Sequence, residues 1–93
     1  MRRQARLDGN HSAIVRALRE AGCSVQSLAT IGNGCPDILI ARNGRMWLAE
    51  IKDGSKPPSQ RKLTLDEQVW KLRWNAPVHV VESVEQALRM ISL

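Results

Sequence analysis

Three residues in this 93-residue chain have the types and spacing for metal-assisted chemistry on a phosphate: Asp37, Glu50 and Lys52. Two carboxylates can hold a hard cation such as Mg²⁺ or Mn²⁺, which binds through one or two carboxylates and keeps its other positions for water and substrate phosphate. The backbone carbonyl of Ile51, between the acid and the lysine, can add a third protein ligand. Lys52 can then stand near the attacking water or the scissile phosphate, as a charge stabiliser or as a proton-transfer group with a depressed pKa.

A turn brings these residues together. Asn43-Gly44 lies between two apolar runs, residues 37–42 and 45–52, and Asn-Gly is the strongest short signal for a type I′ hairpin because both central residues need φ > 0. Counting back from the turn, Arg42 faces Arg45, Ala41 meets Met46, Leu39 meets Leu48, and Asp37 lands opposite Glu50. Opposed side chains share one face of a sheet about 5 Å apart, and Lys52, two residues past Glu50, projects from the same face. The other face carries Pro36, Ile38 and Ile40 against Trp47, Ala49 and Ile51. Both faces are apolar away from the charged end, which predicts a central strand pair covered on both sides. Like charges directly opposite each other are destabilising, more so at low dielectric, and a divalent cation offsets that repulsion. Any one of these residues alone fits a solvated ion pair at a sheet end, since surface pairs are common and worth little. The full set in register favours a site.

The same residues carry a family resemblance. Pro36-Asp37 followed by Glu50-Ile51-Lys52 resembles the PD-(D/E)XK nuclease signature. Gly34-Cys35-Pro36-Asp37-Ile38-Leu39 and Leu48-Ala49-Glu50-Ile51-Lys52-Asp53-Gly54 resemble the virus-type replication-repair nuclease (VRR-NUC) domain. Leu63-Thr64 and Gln68, with Trp70 after them, resemble that family's downstream helix motif. The likeness spans almost the whole chain, as it would for the small stand-alone phage and bacterial members. It implies Mg²⁺- or Mn²⁺-dependent hydrolysis of DNA phosphodiester bonds, with Asp37 and Glu50 as ligands, Lys52 in the catalytic set and Gln68 near the site. It further implies a homodimer acting on branched DNA such as a Holliday junction. One departure stands out: many relatives place a metal-binding acid on the first helix, where this chain has Asn10-His11-Ser12-Ala13-Ile14. Either Asn10 or His11 takes a water-mediated role, or Asp8 reaches in, or two-metal binding is weakened.

Composition fits without demanding this reading. The length suits one domain with a core near the lower limit of independent stability, and 43% hydrophobic residues mark it as globular. A small chain with that apolar share often completes its core by pairing. The net charge is +5, from 14 basic against 9 acidic residues, which favours a polyanionic partner because Lys and Arg release counterions condensed on phosphates. Basic residues cluster as Arg2, Arg3 and Arg6 in an N-terminal tail (residues 1–8) and as Lys56, Arg61 and Lys62 just after Lys52. With no Tyr or Phe, and aromatics confined to Trp47, Trp70 and Trp74, contacts to DNA should fall mostly on the backbone. Cys23 and Cys35 form no CXXC pair and suggest reduced thiols in a cytoplasmic protein, bacterial or in a phage-infected host. No apolar run approaches the ~18 residues of a membrane span. His79, in an alternating strand, reads as structural.

The remaining elements follow from caps and periodicity. A helix is predicted over residues 11–21, capped by Asn10 or Asp8, with Ile14, Ala17, Leu18 and Ala21 as its apolar stripe and Gly22 as its stop. A strand over 24–30 leads to Gly32-Asn33-Gly34, a loop that can bring backbone close to substrate. After the hairpin, residues 54–62, with Pro57 and Pro58, read as a mobile basic loop. Thr64 caps a second helix to about Trp74 with Glu67 in a capping box. A strand over 78–82 and a helix from Ser83 through Ile91 complete the order α-β-β-β-α-β-α, an α/β domain with a mixed sheet flanked by helices. Two other functions fit the same composition: a non-catalytic nucleic-acid-binding module that keeps the nuclease fold, and a small protein-interaction subunit.

Overall fold

The computed structural model describes residues 7–93. Its elements are α1 (His11–Glu20), β1 (Ser24–Ser27), β2 (Ile38–Arg42), β3 (Arg45–Ile51), a 3₁₀ turn (Pro58–Gln60), α2 (Leu65–Arg73), β4 (Val78–Val81) and α3 (Val84–Ser92). The predicted α-β-β-β-α-β-α order is therefore present. The four strands form one mixed sheet in the order β1-β2-β3-β4, antiparallel except for the parallel β3–β4 pair, whose strands are joined by a crossover through α2.

The Asn43-Gly44 turn sets the register as counted from Arg42 back to Ile38, but the expected pairing of Asp37 with Glu50 is not made. Both turn residues have positive φ, 51° and 78°, as a type I′ turn requires. Arg42 faces Arg45, Ala41 faces Met46, Leu39 faces Leu48 and Ile38 faces Ala49. α1 ends in a Schellman motif: Gly22, at φ 90°, donates to the Arg19 carbonyl while Cys23 donates to Leu18, satisfying carbonyls the helix leaves open. At its other end the expected cap is not made. Asn10 occupies the N-cap position but its side chain makes no capping bond.

The core lies on one face of the sheet. Ile38, Ile40, Trp47, Ala49, Ile51 and Val81 pack there against Ile14 and Leu18 of α1 and Ala87, Met90 and Ile91 of α3. Ile14, Leu18, Ile38, Ile40 and Ile51 are essentially inaccessible, and full burial of such a side chain contributes about 1.5–3 kcal/mol. The expectation of a strand pair covered on both sides is corrected. On the second face Leu39 and Leu48 are only half-buried and Met46 is 65% exposed, because α1 and α3 both pack on the first face. α2 buries none of its residues, and its Leu65 and Leu72 are 74% and 86% exposed. A cavity of about 620 Å³ is lined in part by Leu39, Met46, Leu48 and Trp74.

The Gly32-Asn33-Gly34 loop has three successive left-handed residues, at φ 73°, 56° and 84°. Gly34 meets the first turn of α2: a Cβ there would stand 2.2 Å from the Asp66 carbonyl oxygen and 2.9 Å from the Glu67 nitrogen. Nothing lies within 4 Å of a Cβ built on Gly22. Gly22→Ala should therefore cost only its left-handed backbone, about 1 kcal/mol, whereas Gly34→Ala adds a backbone collision and should cost roughly 2–4 kcal/mol. Urea unfolding of the two variants measures the difference, and equal losses would show that the loop does not abut α2.

Candidate active site

Asp37 stands one residue before β2, where the ladder to β3 changes. Its carbonyl accepts from Leu28, continuing the pairing with β1, but its N–H, which a regular ladder would also turn toward β1, donates to Ala49 at 3.1 Å. The shift lets the Asp37 carboxylate accept the N–H of Ile51 through Oδ2 at 2.7 Å. An extended residue projects N–H and C=O to the same side, so the Ile51 carbonyl opens toward Asp37 as well.

Glu50 follows on β3 and is 5% exposed. Burial, then hydrogen bonding with the Glu67 and Asp37 carboxyls, then the charges of both, push its pKa up to about 10. At neutral pH, without a cation, Glu50 is held protonated. Lys52 lies beyond it with Nζ 4.0 Å from a Glu50 oxygen and 2.8 Å from Glu67 Oε1. Burial disfavours the ammonium, but the Glu67 hydrogen bond and the charges of Glu67, Glu50 and Asp8 outweigh it and raise the lysine's pKa. Of the two roles expected for Lys52, charge stabiliser or proton carrier with a depressed pKa, this environment supports the first. Glu67 shifts the opposite way: burial is outweighed by hydrogen bonds with Glu50, Lys52 and the Thr64 backbone, which lower its pKa. Burial, with the Glu50 and Asp37 charges behind it, also raises the thiol of Cys35. Cys23 and Cys35 are both free.

Asp37, Glu50 and Lys52 are thus brought together. Gln68 is not joined to them: it is exposed on α2 and donates to the Leu63 carbonyl at 3.0 Å. Asn10 is near in backbone terms only. Its amide donates to the carbonyls of Lys52 and Glu82, both at 3.0 Å, while its Oδ1 is buried without a partner. It ties the start of α1 to the end of β3. His11 is buried and lines a cavity with Val15, Arg19, Val25 and Ile38, on the core side of the sheet. Asp8 is the acidic residue before α1 whose charge acts on Lys52, and it stands 4.0 Å from Lys56.

The basic residues divide. Arg61 donates to the Lys56 carbonyl at 2.8 Å and to Glu82 at 2.9 Å, so its guanidinium holds the 54–62 segment to the body. Asp53 closes the start of that segment by accepting from Ser55. Lys56 and Lys62 are exposed. Arg2, Arg3 and Arg6 lie outside the described residues. Trp70 of α2 and Trp74, which follows it, stack at 4.6 Å between centroids, and Trp74 is about half exposed.

Glu67 is the residue of this cluster that the sequence did not reveal as part of a site. Thr64-Leu65-Asp66-Glu67 signalled only a capping box, which is indeed formed; nothing local says that the same carboxylate meets a lysine fifteen residues earlier. Among the described residues no three His, Cys, Asp or Glu side chains are grouped so as to hold a metal ion. A cation would therefore rest on Asp37, Glu50 and the Ile51 carbonyl. The donors are hard oxygens, and a buried carboxyl forced to keep its proton beside a second carboxylate is a place that a divalent cation would relieve.

A solved chain described as a VRR_NUC domain has the same fold, with a TM-score of 0.59 and 27% identity, over 91% of this chain and 97% of that one. No protein-family model matches the sequence, and no curated protein matches it. The four-stranded mixed sheet and three helices are consistent with the PD-(D/E)XK fold, and the likeness suggests a nuclease-type domain. More narrowly, the likeness supports a VRR-NUC domain.

Glu50 makes stability depend on pH. The unfolded carboxyl loses its proton near 4.5 and the folded one near about 10, so across that window the folded state binds more protons and stability falls as pH rises. The Glu67 and Lys52 shifts act below and above this window. Metal-free protein should lose several degrees of melting temperature between about pH 5 and about pH 9, and Glu50→Gln should flatten the slope and raise the melting temperature at the alkaline end. An unchanged slope in the variant would contradict the burial of this charge.

Proposed function

We propose that this domain is a divalent-metal-dependent DNA endonuclease. The observation that carries the reading is the Glu50 carboxyl, 5% exposed, set beside Asp37 and Lys52 at one end of the sheet. Asp37, Glu50 and the Ile51 carbonyl would hold Mg²⁺ or Mn²⁺. When bound, such an ion supplies Lewis-acid polarisation and an acidified water.

The chain's own residues do the rest. The Ile51 N–H fixes one Asp37 oxygen, so the other can be presented in a defined direction. Lys52, charged throughout the neutral range, stabilises negative charge developing on the phosphate. Lys56 and Lys62, with Arg2 and Arg3, neutralise backbone phosphates, and Arg61 contributes by holding the segment that carries them. Gln68 joins the site only by leaving the Leu63 carbonyl when DNA binds. Contacts of this kind read backbone shape more than sequence.

The open second face of the sheet supports a homodimer, since Leu39, Met46, Leu48 and Trp74 line one apolar cavity that a second copy would cover. Two sites in one dimer would suit branched DNA such as a Holliday junction, where two strands are cut. The 93 residues would act as one catalytic unit, in the cytoplasm of a bacterial or phage-infected cell.

Purified protein with Mg²⁺ or Mn²⁺ should cut junctions in preference to linear duplex, and Asp37→Asn, Glu50→Ala and Lys52→Ala should each lower kcat by about 10²-fold or more while retaining DNA affinity in chelator. Junctions, flaps and duplexes all left uncut by the wild type in both metals would overturn the reading in favour of a binding module. Sedimentation of the wild type should give a dimer that Met46→Glu converts to monomer. A wild-type monomer at tens of micromolar would remove the homodimer from the proposal.

A further inference from the structure

We infer that Glu67 is the positioning residue of Lys52, coupling the seat of α2 on the sheet to the aim of the catalytic lysine. The inference rests on the nuclease reading for what Lys52 does, and on geometry for what Glu67 does.

One carboxylate oxygen performs two tasks. Glu67 Oε1 accepts from the Thr64 N–H at 2.8 Å and from Lys52 Nζ at the same distance. Thr64 returns the bond, its Oγ1 accepting from the Glu67 N–H at 3.2 Å. A capping box normally spends its glutamate on backbone at an exposed helix end; here the box also fixes the glutamate's rotamer and directs it at a lysine. The pair is largely shielded, with side-chain exposures of 12% and 16%, so the charge-assisted bond is stronger than a surface ion pair. Lys52 is 2.8 Å from Glu67 but 4.0 Å from Glu50. Glu67, not the neighbouring ligand, therefore sets the direction of its flexible stem.

The first turn of α2 is brought there by a second, independent contact. Gly34 leaves no room for a Cβ against Asp66 and Glu67, so the loop that leads into Asp37 also braces the turn that carries Glu67. α2 buries none of its residues, and this turn carries both its bond to Lys52 and its close approach to Gly34. A lysine whose four-carbon chain would otherwise lose about 2 kcal/mol of rotamer entropy on being fixed is thus held before any substrate arrives.

Glu67→Gln tests this, because the amide oxygen still accepts from Thr64 while the charge that holds the ammonium is gone. With Mn²⁺ and a junction substrate, kcat should fall about 10- to 100-fold with KM within about twofold, and the melting temperature should change by only a few degrees. In parallel, an amine-acylating reagent read by mass spectrometry should label Lys52 several-fold faster in the variant, with Lys62 unchanged. Wild-type kcat in Glu67→Gln, or loss of kcat fully accounted for by loss of folded protein, would overturn the inference. Should the wild type cut no DNA, the nuclease reading falls and the labelling alone decides: equal rates at Lys52 in the two proteins would overturn the role of Glu67.

Discussion

Negative charge is crowded at the open end of the β2–β3 hairpin, and the surrounding backbone is arranged around that crowding. Three carboxyls are linked there, Asp37 and Glu67 each meeting Glu50, and the Lys52 ammonium stands against Glu67 and Glu50. Each carboxyl is handled differently. Asp37 steps out of the ladder and takes the Ile51 N–H, Glu67 takes a lysine and a helix cap, and Glu50, the most buried, keeps its proton. A carboxyl cannot ionise in such a place without a compensating positive charge. Glu50 is therefore neutral at this sheet end, and under the proposed function a metal bound there would take the place of its proton.

The fold's asymmetry follows from where its helices go. α1 and α3 share one sheet face and build the core there, leaving α2 on the other side, where its first turn meets Gly34 and, through Glu67, Lys52. The segment that seals nothing thus completes the charge cluster. Asn10 makes the corresponding tie on the core side, joining α1 to the carbonyls of Lys52 and Glu82. The strand end that carries Glu50 and Lys52 is braced from both directions, which is what a site needing sub-ångström placement requires.

Local signals were the legible ones. Asn43-Gly44 determined the hairpin register because a type I′ turn admits one pairing, and Thr64 with Glu67 announced a helix start because a capping box closes within four residues. Two inferences failed where the outcome depended on distant partners. An apolar strand face reads the same whether a helix covers it or not, so the open face of Leu39, Met46 and Leu48 looked like a second core. Asn10 has the side chain of a cap, yet carbonyls 42 and 72 residues away hold its NH2 group, and its Oδ1 accepts from no N–H of α1. The Glu67–Lys52 pair was hidden for the same reason, since neither residue's neighbours point to the other. The step at Asp37 lay beyond simple counting, which carries a ladder forward unchanged until a side chain replaces one of its bonds.

The proposed function makes Asp37 and Glu50 a cation site at which a metal would displace the proton that Glu50 holds. Isothermal titration of metal-free protein with Mn²⁺ at neutral pH, repeated in buffers of different ionisation enthalpy, measures binding and proton release together. One site is expected, its occupation releasing close to one proton per ion, with release lost in Glu50→Gln and binding lost in Asp37→Asn. Binding with no proton release, or binding that survives in both variants, would contradict it.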